Sequence, residues 1–252
     1  MNNKIRTTIL GGLISASLAA PAVAGDFSSN TIVPSGDSTG PKLSSLLPST
    51  GGNFSFSTGY HSTYLFRGVD FGDDQVDYSL ETSFKLANRD FTVGVWGTNV
   101  FDVQGGSEVD FYLSTSQDLG WATAELGYIF YYFPDATSGN TQEVYFGLSK
   151  EVAGYGLSAT WYGDFDAVEG NYLELGAERT FGPVDASLTL GLNPLDGDFT
   201  HAQLTISKEF ALNSEVSLTP YISYSQALIN TDDFGLERDD QFLLGASLSF
   251  SF

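Results

Sequence analysis

From Asn53 to the C-terminus, hydrophobic and polar residues alternate with a period of two, in short segments that end at Gly, Asp, Asn or Pro. This is the period of a β-strand, in which successive side chains point to opposite faces. No segment shows the 3.6-residue apolar period of a helix, and no run of 18 apolar residues occurs. The pattern predicts about twelve strands, near residues 53–67, 76–86, 91–101, 108–117, 121–133, 142–151, 155–164, 171–181, 184–192, 201–210, 215–225 and 241–252.

The connections between these strands alternate between short turns and longer, acidic loops. The short set is 87–90, 118–120, 151–154, 182–183 and 211–214, and the long set is 68–75, 102–107, 134–140, 164–170, 193–199 and 226–240. Outer-membrane barrels have this asymmetry, with the short turns in the periplasm, and their tilted strands are about ten residues long. The sequence therefore predicts an all-β fold, a transmembrane antiparallel up-and-down β-barrel of about 12 strands over residues 53–252, located in the bacterial outer membrane.

The last predicted strand has the clearest alternation. One face carries Phe242, Leu244, Ala246, Leu248, Phe250 and Phe252, and the other carries Gln241, Gly245, Ser247, Ser249 and Ser251. A chain that ends on phenylalanine after alternating apolar residues resembles the C-terminal strand of bacterial outer-membrane proteins. The resemblance implies that the barrel-assembly machinery is a partner of this strand.

Two segments precede the predicted barrel. Residues 1–24 combine Lys4 and Arg6, an apolar stretch and a small-residue end at Ala24, which is the order of a cleaved secretory signal peptide. A short N-terminal anchor is the alternative reading. Residues 25–52 are rich in Ser, Thr, Gly and Pro and are predicted to form a periplasmic linker; whether it hangs free or enters the barrel is open at this stage.

The charge is strongly negative, with 31 acidic and 10 basic residues. Cleavage after Ala24 removes two bases and no acid, which leaves a net charge of −23. Such a chain is a poor partner for nucleic acid. There is no cysteine, which excludes disulfides, thiolate metal sites and an N-terminal lipid-anchored cysteine.

Strand alternation sorts the charged residues onto the face that would line the lumen of a barrel. The lumen-lining candidates are Arg67, Asp77, Glu81, Lys85, Asp110, Glu125, Glu143, Glu174, Glu178 and Asp185. Acids outnumber bases, so a conducting lumen is expected to prefer cations. Twelve strands lie between a small filled barrel and a large open porin, and the many inward Ser, Thr and Gly favour a water-filled path over a lumen filled by side chains.

The segment 58–68, TGYHSTYLFRG, places an arginine among aromatic residues. Alternation predicts lipid-facing rings at Tyr60, Tyr64 and Phe66. It predicts lumen-facing side chains at His61, Thr63 and Arg67. Because the next strand returns with Asp77 and Glu81 on the same inner face, Arg67 is expected to form an ion pair with one or both of them.

Signals for catalysis are weak. His61 and His201 are the only histidines, and no H-E-x-x-H, P-loop, G-x-S-x-G or EF-hand pattern occurs. Ser57 and Ser62 are near His61 in sequence, but nothing indicates a nucleophile and its base within reach. The sequence thus predicts neither enzyme activity nor a cofactor. The Asp-rich loops are expected to be solvated, with weak bridging to lipopolysaccharide through divalent ions as the alternative.

Residues Tyr64, Leu65, Phe66, Arg67 and Gly68 match a Y-x-[FY]-R-G segment. Here the chain resembles the TorF family, whose members are assigned as bacterial outer-membrane porins and open their barrel with such a segment. The resemblance is specific over the first hairpin and implies a transport barrel without naming a solute. The expected function is passive diffusion of small hydrophilic solutes, with outer-membrane lipid as the surroundings. The alternative is a non-conducting barrel with a structural or surface-interaction role through its acidic loops.

Overall fold

The computed structural model describes residues 53–86, 89–103, 106–135, 139–167, 170–229 and 238–251. The predicted signal peptide, the linker and the terminal Phe252 lie outside these residues. Within them no helix is long and apolar enough to cross a membrane. The strands are β1 (Asn53–Phe66), β2 (Val69–Leu86), β3 (Arg89–Val100), β4 (Ser107–Asp118), β5 (Thr123–Tyr132), β6 (Thr141–Val152), β7 (Tyr155–Asp164), β8 (Asn171–Phe181), β9 (Val184–Asn193), β10 (Asp198–Ser207), β11 (Phe210–Ala211), β12 (Val216–Ala227) and β13 (Gln241–Ser251).

The sheet closes on itself. Each long strand pairs antiparallel with the next along the chain, and β1 pairs with β13. The two-residue β11 pairs with β12, and β10 pairs with both β9 and β12. Twelve long strands therefore form a closed up-and-down barrel, which confirms the predicted fold class. Closure pairs the backbone groups of the first and last strands, as a β-structure that spans lipid requires.

The outer face of the barrel is apolar. Exposed hydrophobic residues alternate along the strands and include Leu80, Leu113, Leu126, Phe146, Leu188, Leu204, Ile222 and Leu244. Near the short-turn end, the Arg179 guanidinium lies 4.5 Å from the ring centre of Tyr155, and Lys208 Nζ lies 4.6 Å from that of Phe210. Aromatic rings with basic side chains are typical of the membrane boundary. This exterior agrees with the predicted location in the bacterial outer membrane.

Two predicted connections are wrong in length. Residues 68–75 were expected to form a long loop, but β2 begins at Val69 and continues through them. The connection between β1 and β2 is a two-residue turn in which Arg67 and Gly68 both have positive φ, 46° and 79°. Positive φ at both central residues is the geometry of a type I′ hairpin turn, which matches the twist of the flanking strands. The β9–β10 loop is also short, since β9 ends at Asn193 and β10 begins at Asp198.

The predicted facing of the first strand is half correct. Tyr60 is exposed on the outer face, while His61 and Thr63 are buried inside, as expected. Tyr64 and Phe66 are also buried, at 6% and 3% exposure, and not in contact with lipid. The pairing of β1 with β2 shifts register between Thr63 and Leu65. A bulge of this kind bends and twists the strand, which reverses the face on which the following residues lie.

Candidate functional site in the barrel lumen

The turn between β1 and β2 lies inside the barrel. We define the hairpin tip as residues 66–69; Phe66 and Val69 are buried, and the Arg67 side chain is 9% exposed. A Cβ on Gly68 would lie 2.6 Å from Cγ of His201 on β10, so the Gly68 backbone packs directly against the His201 side chain. Because β10 is not a neighbour of β1 or β2 in the sheet, the tip reaches this wall by crossing the lumen.

Arg67 ends in a cage made by the opposite wall. Its guanidinium donates two hydrogen bonds, of 2.9 and 3.0 Å, to the two carboxylate oxygens of Glu143 on β6. The ring centres of Tyr162 on β7 and Tyr172 on β8 lie 4.5 and 4.4 Å from Arg67 Cζ. The Tyr131 hydroxyl donates to Glu143 Oε2 at 2.7 Å. We call Tyr131, Glu143, Tyr162 and Tyr172 the guanidinium cage.

The predicted pairing of Arg67 with Asp77 or Glu81 is wrong. Asp77 Oδ1 instead lies 3.3 Å from His61 Nε2, and Asp77 Oδ2 accepts a hydrogen bond from Trp96 Nε1. Glu81 Oε2 accepts a hydrogen bond from the Tyr112 hydroxyl at 3.0 Å. The type I′ turn directs Arg67 away from its own hairpin and across the lumen, where Glu143 is the carboxylate that meets it.

Tyrosine–carboxylate pairs recur along the inner wall. The Tyr64 hydroxyl donates to Glu108 Oε2 at 2.8 Å, and the Tyr145 hydroxyl donates to Glu125 Oε1 at 2.6 Å. With the Tyr112–Glu81 and Tyr131–Glu143 bonds, four inward acids are each held by a phenol. These bonds hold the carboxylates in fixed orientations, because each phenol hydroxyl donates its proton to one carboxylate oxygen.

Glu108 and Asp110 form the most deeply buried acidic pair. They are 1% and 0% exposed and lie two residues apart on the inner face of β4. Oε1 of Glu108 and both carboxylate oxygens of Asp110 have no hydrogen-bond partner among the described residues. Burying polar oxygens without a donor is unfavourable. These three oxygens therefore lower the stability of the barrel, in contrast to Glu108 Oε2, which accepts a hydrogen bond from Tyr64.

Replacing Asp110 by asparagine is expected to stabilise the barrel by about 1–3 kcal/mol, because the amide N–H₂ group supplies a donor for the Glu108 oxygen that has none. Urea-dependent unfolding, followed by the gel mobility difference between folded and unfolded barrel, measures the change. Asp135→Asn removes the same charge from an exposed loop position and serves as control. A lower urea midpoint for Asp110→Asn than for the control contradicts the expectation.

Most of the remaining sequence-predicted acids lie closer to the short-turn end, but Glu174 lies three residues from the loop end of β8. Glu174 and Glu178 on β8 are partly exposed on the inner face, and the Asp185 carboxylate accepts a hydrogen bond from Thr180. Glu125 is paired across the sheet with Gly147, Gly147 with Thr160, and Thr160 with Glu174. Lys85 is 77% exposed and forms an ion pair with Asp90 at 2.7 Å, at the end of its hairpin. Their part in lining a permeation path stays a prediction.

The outer part of the lumen is filled by large side chains. Tyr131, Asp110 and Glu143 on the wall are 0–1% exposed, and Tyr64, Phe66, Trp96, Tyr112 and Ile129 pack with them in one cluster. Toward the short turns the inward residues are small, for example Ser79, Ser114, Ser158, Gly176 and Ser187. The lumen is therefore narrowest where the hairpin tip crosses it.

Sequence reasoning missed several members of this site. Glu108 and Tyr112 have the same parity as Asp110 on β4, so alternation alone could have identified them. Tyr131 and Tyr162 also have inward parity on their strands, but aromatic residues on a membrane strand are usually assigned to lipid. Arg238, which donates from Nε to the Arg67 carbonyl oxygen at 3.4 Å, follows a segment outside the described residues and has no periodic signal.

The two histidines have structural partners. His61 Nδ1 is 2.8 Å from the Tyr221 hydroxyl, and His201 stacks on Tyr172 with 3° between the ring planes. The nearby serines bond elsewhere, Ser57 to Ser79 and Ser62 to the backbone N–H of Leu244. In the described part of the chain no three His, Asp or Glu side chains converge in a way that could hold a metal ion.

One loop carboxylate at the outer rim is also anchored. Asp240, just before β13, accepts hydrogen bonds from the Tyr224 hydroxyl at 2.7 Å and from the Ala227 backbone N–H at 3.0 Å. These bonds, the hydroxyl first, lower the pKa of Asp240. The acid stays ionised and ties the end of the β12–β13 connection to the rim.

Solved structures with a similar fold include outer-membrane porins. KdgM porin in complex with disordered oligogalacturonate has a TM-score of 0.50 and 13% identity, over 79% of this chain and 99% of that chain. NanC porin has a TM-score of 0.49 and 12% identity, over 79% and 100%. Outer membrane phospholipase A from Escherichia coli has a TM-score of 0.47 and 16% identity, over 78% and 89%. At these identities the likeness establishes the fold alone.

Comparison at the level of sequence gives one match. A family model described as "Bacterial protein of unknown function (Gcw_chp)" matches residues 47–232. No curated protein matches the chain. The match does not name the TorF family, so that resemblance stays a prediction.

Proposed function

Because the chain belongs to the bacterial family of unknown function Gcw_chp, whose description supplies no activity, we propose a function from the barrel itself: a porin-like outer-membrane channel for small hydrophilic solutes. The observation that carries the proposal is a closed 12-strand barrel with an apolar outside and an inner face of Ser, Thr, Gly and acidic residues. Polar lumens of this kind conduct water and ions in outer-membrane barrels. The Y-x-F-R-G resemblance at Tyr64–Gly68 supports the same proposal.

The hairpin tip is the proposed constriction of this channel. It occupies the level at which the wall residues are least exposed, and it is held there by side-chain contacts and not by strand pairing. A segment held in this way can leave the lumen without breaking the barrel wall. Permeation then depends on how often the tip leaves its place.

The permeating solutes are proposed to be neutral or cationic. Glu81, Glu125, Glu174 and Glu178 remain partly exposed on the inner face of the barrel. Acidic linings favour cations and repel anions. An acidic sugar such as the oligogalacturonate bound to KdgM porin is therefore a poor expected solute for this chain.

Neutralising two lumen acids is expected to weaken cation preference. A unit charge about 10 Å from an ion in water contributes about 0.4 kcal/mol, favourable for a cation and unfavourable for an anion. The Glu125→Gln/Glu174→Gln variant is therefore expected to lower the cation-to-anion permeability ratio by up to about fourfold for each charge. The reversal potential in planar bilayers under a KCl gradient measures this ratio. Asp135→Asn/Asp239→Asn removes two charges from exposed positions outside the strands and is the control. Anion preference of the unmodified barrel, or an equal shift in both variants, contradicts the proposal.

A non-conducting barrel with a structural role is the second candidate, and the filled outer part of the lumen favours it. Conductance separates the two: discrete channel openings in bilayers support the first, and their absence in both the unmodified barrel and an Arg67→Ala variant supports the second. Lipid hydrolysis is not proposed, since neither Ser57 nor Ser62 bonds to His61. A lipase assay with His61→Ala as control tests that exclusion.

A further inference from the structure

The guanidinium cage is built by wall residues, and only its occupant comes from the hairpin tip. Tyr131, Glu143, Tyr162 and Tyr172 belong to four consecutive strands, β5 to β8, whose pairing does not involve β1 or β2. Arg67 enters this cage from the turn on the other side of the barrel. The wall pairing that positions these four side chains does not depend on Arg67.

The chemistry of the cage is that of a receptor for a planar organic cation. Glu143 offers both carboxylate oxygens to one guanidinium, at 2.9 and 3.0 Å, and this two-bond geometry matches a guanidinium better than an ammonium. The ring centres of two tyrosines lie 4.4 and 4.5 Å from the same carbon and 6.1 Å from each other. Aromatic faces beside a carboxylate recognise cations that are weakly hydrated.

We propose that this cage is a binding site for guanidinium-bearing solutes, and that Arg67 occupies it as a tethered competitor in the resting barrel. The inference rests on the proposed channel function and names the class of solute that its constriction recognises. A soluble guanidinium that takes the place of Arg67 frees the hairpin tip from its main ion pair. The same event therefore binds the solute and loosens the constriction.

Arg67→Ala exposes the cage to a free ligand, and methylguanidinium is the probe. We expect it to bind folded Arg67→Ala barrel in detergent at millimolar concentration, measured by calorimetry and by a raised urea midpoint. Binding is expected to be at least about tenfold weaker in Arg67→Ala/Glu143→Gln, since the charged hydrogen bonds are lost. Unmodified barrel, with its cage occupied, is expected to bind more weakly than Arg67→Ala. Methylammonium and NaCl at equal ionic strength are the ligand controls.

The inference is overturned if methylguanidinium binds Arg67→Ala no better than the double variant, or no better than methylammonium. If Arg67→Ala does not fold, Arg67→Lys is used, because lysine keeps a tethered cation but lacks the planar guanidinium group. Arg67→Lys is expected to bind methylguanidinium more tightly than the unmodified barrel does. Equal binding by the two overturns the inference. Calorimetry requires no conductance. If methylguanidinium binds but no channel openings are seen, only the proposed function is contradicted. If channel openings are seen but methylguanidinium does not bind, only this inference is contradicted.

Discussion

Replacing Glu143 by glutamine is expected to destabilise the barrel by about 3–5 kcal/mol, the usual effect of removing one member of a buried ion pair. Arg67 would keep its charge inside the lumen while losing the carboxylate that accepts two of its hydrogen bonds. Glutamine presents one oxygen and one N–H₂ group to the guanidinium. In one of the two contacts an N–H donor therefore faces another N–H donor, and no hydrogen bond can form there. Urea-dependent unfolding from detergent or lipid, with folded barrel quantified by gel mobility, measures the change.

The chain offers a matched control for this effect. Glu81 is also an inward glutamate that accepts a hydrogen bond from a tyrosine hydroxyl, that of Tyr112, but no arginine of the described residues forms an ion pair with it. Glu81→Gln keeps an oxygen for that phenol and is expected to change stability by about 1 kcal/mol or less. Arg67→Ala/Glu143→Gln is expected to be more stable than Glu143→Gln, because no unpaired charge remains. Equal losses in Glu143→Gln and Glu81→Gln are incompatible with a structural role for the ion pair.

Gly68→Ala is expected to push the hairpin tip out of its place in the lumen. Gly68 has a φ of +79°, where a side chain costs about 1–2 kcal/mol, and the added Cβ would lie 2.6 Å from His201 Cγ. His201 is 2% exposed and stacked on Tyr172, so it has little room to move. Overpacking adds about 1–3 kcal/mol. We expect a total loss of about 2–5 kcal/mol in urea unfolding and an increased bilayer conductance.

Gly154→Ala separates the backbone contribution from the contact. Gly154 lies in the β6–β7 turn with the same φ of +79°, and a Cβ there meets nothing within 4 Å. It is expected to show the conformational cost alone, about 1–2 kcal/mol, with conductance unchanged. If Gly68→Ala matches Gly154→Ala in both stability and conductance, the hairpin tip does not depend on its contact with the β10 wall.

Most strand positions could be predicted because a membrane barrel requires apolar and polar residues to alternate along each strand. The predicted bounds of β7 and β8 agree with the structure residue for residue, and β9 and β13 differ by one residue at one end. Each strand must present apolar side chains to lipid at every second position, so its period is visible in a single sequence. Turns with Gly, such as Gly182 at φ +62°, marked the strand ends.

The first hairpin could not be predicted in the same way. Its bulge between Thr63 and Leu65 changes the facing of Tyr64 and Phe66, and a two-residue turn at Arg67–Gly68 replaces the expected loop. Neither feature interrupts the apolar pattern of the sequence, so neither is visible in it. The reason is that aromatic residues suit a lipid-facing surface and a packed lumen equally well. Periodicity identifies the face of a strand only while the register stays regular.

By itself the sequence determined the twelve long strands and the inward facing of the acids, because both follow from alternation along a single strand. Tertiary structure alone decided which of those acids Arg67 meets. Glu143 is 76 residues away and on the opposite wall, and the distance between them closes only when β13 pairs with β1 and the tip turns inward. Contacts across a lumen depend on barrel closure and on the direction of one turn, and neither leaves a periodic trace in the chain.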